Sequence, residues 1–121
     1  MQHGTRAYRA VATEIASPRE LEADLLLKAG ARLQAVCDTW DSNKSDLDAA
    51  LLFNRKLWTV FLSSVMSAES PLPQEIRQNV ANLGLFVLNQ TVSVLSDPQP
   101  GSLAPLISIN RELAAGLRGA A

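Results

Sequence analysis

The sequence predicts an all-α fold, a compact bundle of about four helices, and three observations carry that prediction. Apolar residues recur at spacings of three, four and seven through most of the chain. No segment alternates apolar and polar residues at period two over a convincing length. Breakers rich in proline, serine and aspartate divide the periodic stretches. At 121 residues the chain fits a single domain, 1–121, large enough to bury most of its apolar surface without disulfides or metal.

Residues 1–12 are mixed and polar, with Gly4 near the start, and read as a tail that orders only where Tyr8 and Val11 find a surface. Ser17-Pro18-Arg19-Glu20 is a capping box with proline at the first helical position. The serine hydroxyl accepts an early backbone N–H, Glu20 reaches back, and the proline ring presets φ. Leu21, Leu25, Ala29, Leu33 and Val36 then share one spacing while Glu22, Asp24, Lys28 and Arg32 take other faces. The first helix is therefore predicted to run to about Cys37, with Asp24 placed to pair with Lys28 one turn on.

Turn formers from Asp38 to Lys44 end that helix, and Ser45, followed by Asp46, Leu47 and Asp48, reads as the N-cap of the second. Its apolar set of Leu47, Ala50, Leu51, Phe53, Leu57, Trp58, Phe61, Leu62 and Val65 is too wide for one seam and predicts a central helix with more than one neighbour. The stretch from Ser67 to Pro73 breaks it. Pro73 opens a third helix through Glu75, Ile76, Val80, Leu83, Val87 and Val94 to about Leu95.

Gly84 lies inside this third helix, where it costs about 1 kcal/mol relative to Ala. Ala29-Gly30-Ala31 lies midway along the first. Two small-residue notches facing each other would let the backbones approach, and two merely tolerated glycines fit the pattern equally well. Ser96-Asp97-Pro98-Gln99-Pro100-Gly101 is a strong breaker. After it Ser102 is placed to cap a last helix carrying Leu103, Leu106, Ile107, Asn110, Leu113, Ala114 and Leu117, its end loosened by Gly116 and Gly119.

The chain also pairs with itself. Pro18 and Pro73 open similar starts, Pro-x-Glu-Leu and Pro-x-Glu-Ile, at an offset of 55 (73 minus 18), and Asn54 and Asn110 lie 56 apart (110 minus 54). The second offset sets Leu47 on Leu103, Leu51 on Ile107, Phe53 on Ile109, Leu57 on Leu113 and Phe61 on Leu117, apolar on apolar throughout. Two pseudo-repeated helical hairpins about an approximate two-fold would produce this, as would any two amphipathic helices slid into phase.

Composition excludes several functions. The formal charge is −1, and the eleven basic residues are dispersed, which leaves no footprint for a nucleic-acid backbone. No stretch reaches about 18 uninterrupted apolar residues and no signal peptide opens the chain, so neither a membrane span nor export is expected. The single thiol, Cys37, has no metal-ligand spacing and fits a reducing cytoplasm, where it reads as a small buried apolar group. The only histidine, His3, is in the tail, and no phosphate loop is present. Neither an enzyme, nor a cofactor, nor a metal site is therefore expected.

One signature stands out against this background. Phe53-Asn54-Arg55-Lys56-Leu57 and Ile109-Asn110-Arg111-Glu112-Leu113 repeat an apolar residue, Asn, Arg, any residue and Leu. Asn is a mediocre helix former because its side chain competes for backbone groups, so Asn placed twice beside Arg implies a specific contact. In a structural reading each Asn satisfies backbone groups at a helix end or crossing and each Arg pairs with an acid such as Glu112 or Asp48. In a binding reading Arg55 and Arg111 offer planar donors to a partner and Trp58 supplies an aromatic anchor, although Trp58 alone reads as core. Leu25-Leu26-Leu27, Leu51-Leu52-Phe53 and Leu85-Phe86-Val87-Leu88 cannot each face one side of a helix. That spare apolar surface predicts either a tightly buried central pair or a groove for a partner helix.

Four blocks in order, Ala16-Ser17-Pro18-Arg19-Glu20-Leu21-Glu22-Ala23, Asn54-Arg55-Lys56-Leu57-Trp58-Thr59, Pro71-Leu72-Pro73, and Leu106-Ile107-Ser108-Ile109-Asn110-Arg111 with Gly116-Leu117-Arg118-Gly119, span nearly the whole chain. Together they resemble the FlaF family of flagellar biosynthesis regulators. The resemblance implies a small cytoplasmic protein, not an enzyme, required for flagellin to be made and exported and paired functionally with the translational regulator FlbT. Three roles follow as expectations: a secretion chaperone that binds flagellin, with Asn54, Arg55, Trp58, Asn110 and Arg111 lining the site; a regulator of flagellin translation acting with FlbT; or a homodimer formed by the spare apolar surface.

Overall fold

In a computed structural model, which describes residues 18–42 and 44–120, the first helix, α1, runs Pro18–Asp38 and starts at the proline, as its fixed φ favours. Ser17 and the 1–12 stretch with His3, Tyr8 and Val11 lie outside the described residues. The remaining helices are α2 (Leu47–Met66), α3 (Gln74–Ser96) and α4 (Ala104–Ala120), and no strand occurs among the described residues. The all-α, four-helix expectation matches this architecture.

Two starts differ from the sequence reading. A 3-10 turn, Lys44–Asp46, precedes α2, so Ser45 lies within that turn and Asp46 holds the cap position without a side-chain hydrogen bond. A second 3-10 turn, Pro100–Leu103, precedes α4 and absorbs Ser102 in the same way. In both places the tighter turn supplies backbone bonds that a serine cap would otherwise provide. The end of α2 is closed from outside: Arg77 of α3 donates from Nε to the Val65 carbonyl (3.1 Å) and from Nη2 to that of Met66 (3.3 Å).

Successive helices run antiparallel. Arg32 of α1 lies over the Phe53 ring of α2 at 4.9 Å, and Gly84 of α3 lies beneath Leu62 of α2. The last helix folds back on the first, where Arg118 forms an ion pair with Asp24, so Asp24 joins two helices instead of pairing with Lys28. This α1–α4 contact is the most extensive in the molecule, and α3 touches α4 only slightly. Leu26, Leu33, Leu51, Trp58, Val65, Val87, Val94, Leu103 and Leu106 form the centre of the core.

The small-residue notches do not face each other. A Cβ on Gly30 would meet Asn110 Cβ of α4 at 3.6 Å, whereas one on Gly84 would fall 2.5 Å from Leu62 Cδ1. Each glycine therefore serves a different crossing. The 56-residue pairing, by contrast, gives like environments: Leu47 and Leu103, Leu51 and Ile107, and Phe61 and Leu117 are buried, and Phe53 with Ile109 and Leu57 with Leu113 are half-buried. For α1 and α3 the burial pattern aligns one residue off the predicted offset, at 54, which sets Leu26 on Val80, Gly30 on Gly84 and Leu33 on Val87. The hairpins themselves pack unequally, since α1–α2 contact is far more extensive than α3–α4.

Candidate functional site

The two Asn-Arg pairs are split by the fold. Asn54, Trp58 and Asn110 are at 0% exposure, and Arg55 and Arg111 are exposed. One helical residue rotates the side chain by about 100°, so an Asn at the centre of a buried face sends the next residue towards the rim. The sequence motif thus places one side chain inside the bundle and the next outside it.

Inside, the three residues form a single network across the bundle. Trp58 Nε1 donates to Asn110 Oδ1 at 3.0 Å, and Asn110 Nδ2 donates to Asn54 Oδ1 at 2.7 Å and to the Leu26 carbonyl of α1 at 3.2 Å. Asn110 consequently ties α1, α2 and α4 together, and its amide orientation follows from having a donor on one side and acceptors on the other. Asn54 Nδ2 is buried with no hydrogen-bond partner. Thr91, the other buried polar side chain of the core, donates to the Val87 carbonyl one turn back (2.7 Å) and needs no further partner. Asn54, Trp58 and Asn110, expected to line a partner site, present no surface on this closed bundle.

Outside, each arginine edges a surface pocket. Arg55 lies with Asp48, Leu51, Leu52, Thr91 and Leu95 at the α2–α3 junction, and Arg111 with Glu112, Gln34, Cys37, Ala104 and Ser108 at the α1–α4 junction. Neither guanidinium has an ion-pair or hydrogen-bond partner among the described residues, so the expected pairs with Asp48 and Glu112 are not formed. Cys37 is half-buried, with Sγ 3.7 Å from the Pro100 carbonyl. The described residues contain no cluster of His, Cys, Asp and Glu able to hold a metal.

One carboxyl has a shifted titration. Burial raises Glu22 above its ordinary value, and the Arg19 guanidinium, 2.6 Å away, opposes this through its charge and its hydrogen bond. Glu22 lies on α1, away from both arginine pockets.

Spare apolar surface is spread over α2 and α3: Val60, Met66, Ile76 and Phe86 are exposed, and a further set forms one continuous stripe on α3. The triplets divide as their spacing demands: Leu26 is buried and its neighbours half-buried, and Leu51 is buried while Leu52 is 43% exposed. On α3, Val80, Gly84, Val87, Thr91 and Val94 are buried, leaving Leu85 (61%), Val92 (62%) and Leu95 (47%) exposed with half-buried Leu88 on a second stripe. Leu52 continues that stripe across the α2–α3 junction, where it shares a pocket with Leu95 and Arg55. From Gln78 to Ser96 the helix carries no Asp, Glu, Lys or Arg.

This face combines exposed apolar side chains with the Arg55 guanidinium, which has no partner among the described residues. The Asn-Arg signature points to the second and fourth helices for a partner site, and the exposed α3 stripe lies apart from that signature. The uncharged run and the 3-4-3 spacing on the third helix were the signals that would have found the α3 stripe.

Comparison with known families places the chain. The family model described as flagellar protein FlaF matches residues 4–117. The chain belongs to the FlaF family. The match runs through both Asn-Arg pairs and the whole of α3, so the buried network and the uncharged stripe both lie within FlaF sequence. No curated protein and no solved structure matches the chain. As a FlaF-family member it is a flagellar protein, and no helix among its described residues is long and apolar enough to cross a membrane.

Proposed function

We propose that the chain acts in the cytoplasm as a flagellin-specific secretion chaperone, holding a terminal segment of flagellin on the α2–α3 shoulder until export. The observation that carries this reading is the exposed, uncharged stripe of Leu85, Leu88, Val92 and Leu95, continued by Leu52, on a member of a flagellar family. Flagellin termini are apolar segments that become helical in the filament. A helix laying apolar residues at spacings of three, four and seven along this stripe would be shielded from water in the meantime. Arg55, without a partner among the described residues and at the edge of the stripe, supplies a donor for a carboxylate or for the free carbonyls at the end of a bound helix.

Isothermal titration of the chain with purified flagellin and with its two terminal segments tests the proposal. Binding is expected to one terminus, weakened at least about tenfold by Leu85→Lys with Val92→Lys, a loss of roughly 1.4 kcal/mol. Arg55→Ala should weaken it less, and Arg111→Ala, on the far junction, should leave it unchanged. Absence of binding by the parent chain, or binding indifferent to the double substitution, would overturn the reading.

A further inference from the structure

The spacing of the α3 stripe is the same in both directions, although its residues, Leu-Leu-Val-Leu, are not. Leu85, Leu88, Val92 and Leu95 are spaced three, four and three, so they are symmetric about position 90. The run from Gln78 to Ser96 also lacks any charged side chain. A contact between two identical surfaces needs both properties: the patch must complement itself after a half-turn, and no like charges may meet near the axis.

We propose that the free protein pairs through this stripe with a second copy of itself. The two α3 helices lie antiparallel, Leu85 against the partner subunit's Leu95 and Leu88 against the partner subunit's Val92. Leu52, exposed beside Leu95, widens the contact where the copy's helix settles into the α2–α3 shoulder. Four seam positions make a short interface, so the pair dissociates on dilution through the micromolar range. The inference rests on the preceding reading only in using the same face. A second copy covers the apolar stripe until a flagellin segment displaces it, which keeps the unloaded chain from aggregating.

Light scattering across a dilution series, with circular dichroism to confirm folding, tests the pairing. The parent chain is expected to fall from about twice its mass of 13.0 kDa to that mass as it is diluted. Leu88→Lys and Val92→Glu, each alone, should stay monomeric at every concentration, and their equimolar mixture should recover a heterodimer. In the mixture the introduced ammonium and carboxylate oppose each other at one end of the axis, and an unaltered Leu-Val contact remains at the other. A parent chain that is monomeric throughout, a dimer indifferent to either substitution, or a mixture that stays monomeric would overturn the proposal. Flagellin termini titrated into the same samples separate the two readings. A dimer that captures no segment sinks the chaperone reading and leaves the pairing, and capture by a monomeric parent does the reverse.

Discussion

At the scale of single residues, Asn110 does more than any other polar side chain, because it bonds three buried groups at once. Its removal strands the Trp58 indole N–H and Asn54 Oδ1, whereas the Leu26 carbonyl keeps its backbone bond within α1, and a buried polar atom without a partner costs about 1–3 kcal/mol. Asn110→Ala is therefore expected to lower the unfolding free energy by roughly 2–4 kcal/mol, read from urea midpoints at constant slope. Asn54 is different, since its Nδ2 is already unpartnered. Asn54→Ala removes that orphan and leaves Asn110 Nδ2 still bonded to Leu26, so it should cost at least about 1 kcal/mol less than Asn110→Ala. Equal losses would show that the two amides are interchangeable. Glu22 makes a second test. Burial raises its folded pKa, so folding favours the protonated form, and that contribution is complete below the unfolded-chain value and lost as pH rises through the folded one. Glu22→Gln, which cannot ionise, should therefore gain stability relative to the parent between pH 3.5 and pH 7 (roughly spanning the carboxylate range) in paired thermal melts. A gap that narrowed over that range would contradict the assigned cause.

At the scale of elements, the two helical glycines separate propensity from packing. Both break the same rule, that glycine weakens a helix interior by about 1 kcal/mol relative to alanine. Gly30 faces Asn110 with room for a methyl group at ordinary contact distance, so Gly30→Ala should stabilise the chain by up to about 1 kcal/mol in thermal or urea unfolding. Gly84 has Leu62 pressed against it, so Gly84→Ala requires Leu62 to turn away and the gain should be cancelled. If both substitutions stabilised equally, the Leu62 contact would carry no weight at the α2–α3 crossing. The same crossing is held at its other end by Arg77, whose two bonds satisfy terminal carbonyls of α2. Nothing in the local sequence around Pro73 marks Arg77 for that task, because its acceptors belong to the preceding helix.

At the scale of the whole molecule, stability and surface chemistry are separable. Leu85 and Val92 lie outside the core, so Leu85→Lys with Val92→Lys should change the unfolding free energy by less than about 0.5 kcal/mol per site, measured at concentrations where the chain is monomeric. A large loss would move the stripe from the surface into the folding core. Much of this architecture was legible beforehand, because helix type and approximate extent depend on local quantities: apolar spacing, proline at Pro18 and Pro73, and breakers at 67–73 and 96–101. The importance of the repeated Asn was legible too, since a polar residue at the centre of an apolar face needs a partner wherever it is buried. What the partner is was not. Trp58, Asn54, Asn110 and the Leu26 carbonyl meet only because α4 returns to α1, and the loss of 3-4 contact that leaves α3 on the outside follows from that same return. The sequence by itself determined four amphipathic helices, a third helix without charge from Gln78 onward and a polar pair placed among apolar residues, all of which are one-dimensional patterns. Only the tertiary structure decided that Asn54 and Asn110 face inward while their arginines face water, and that the spare apolar stripe lies on α3, because which face of a helix is covered depends on neighbours distant in the chain.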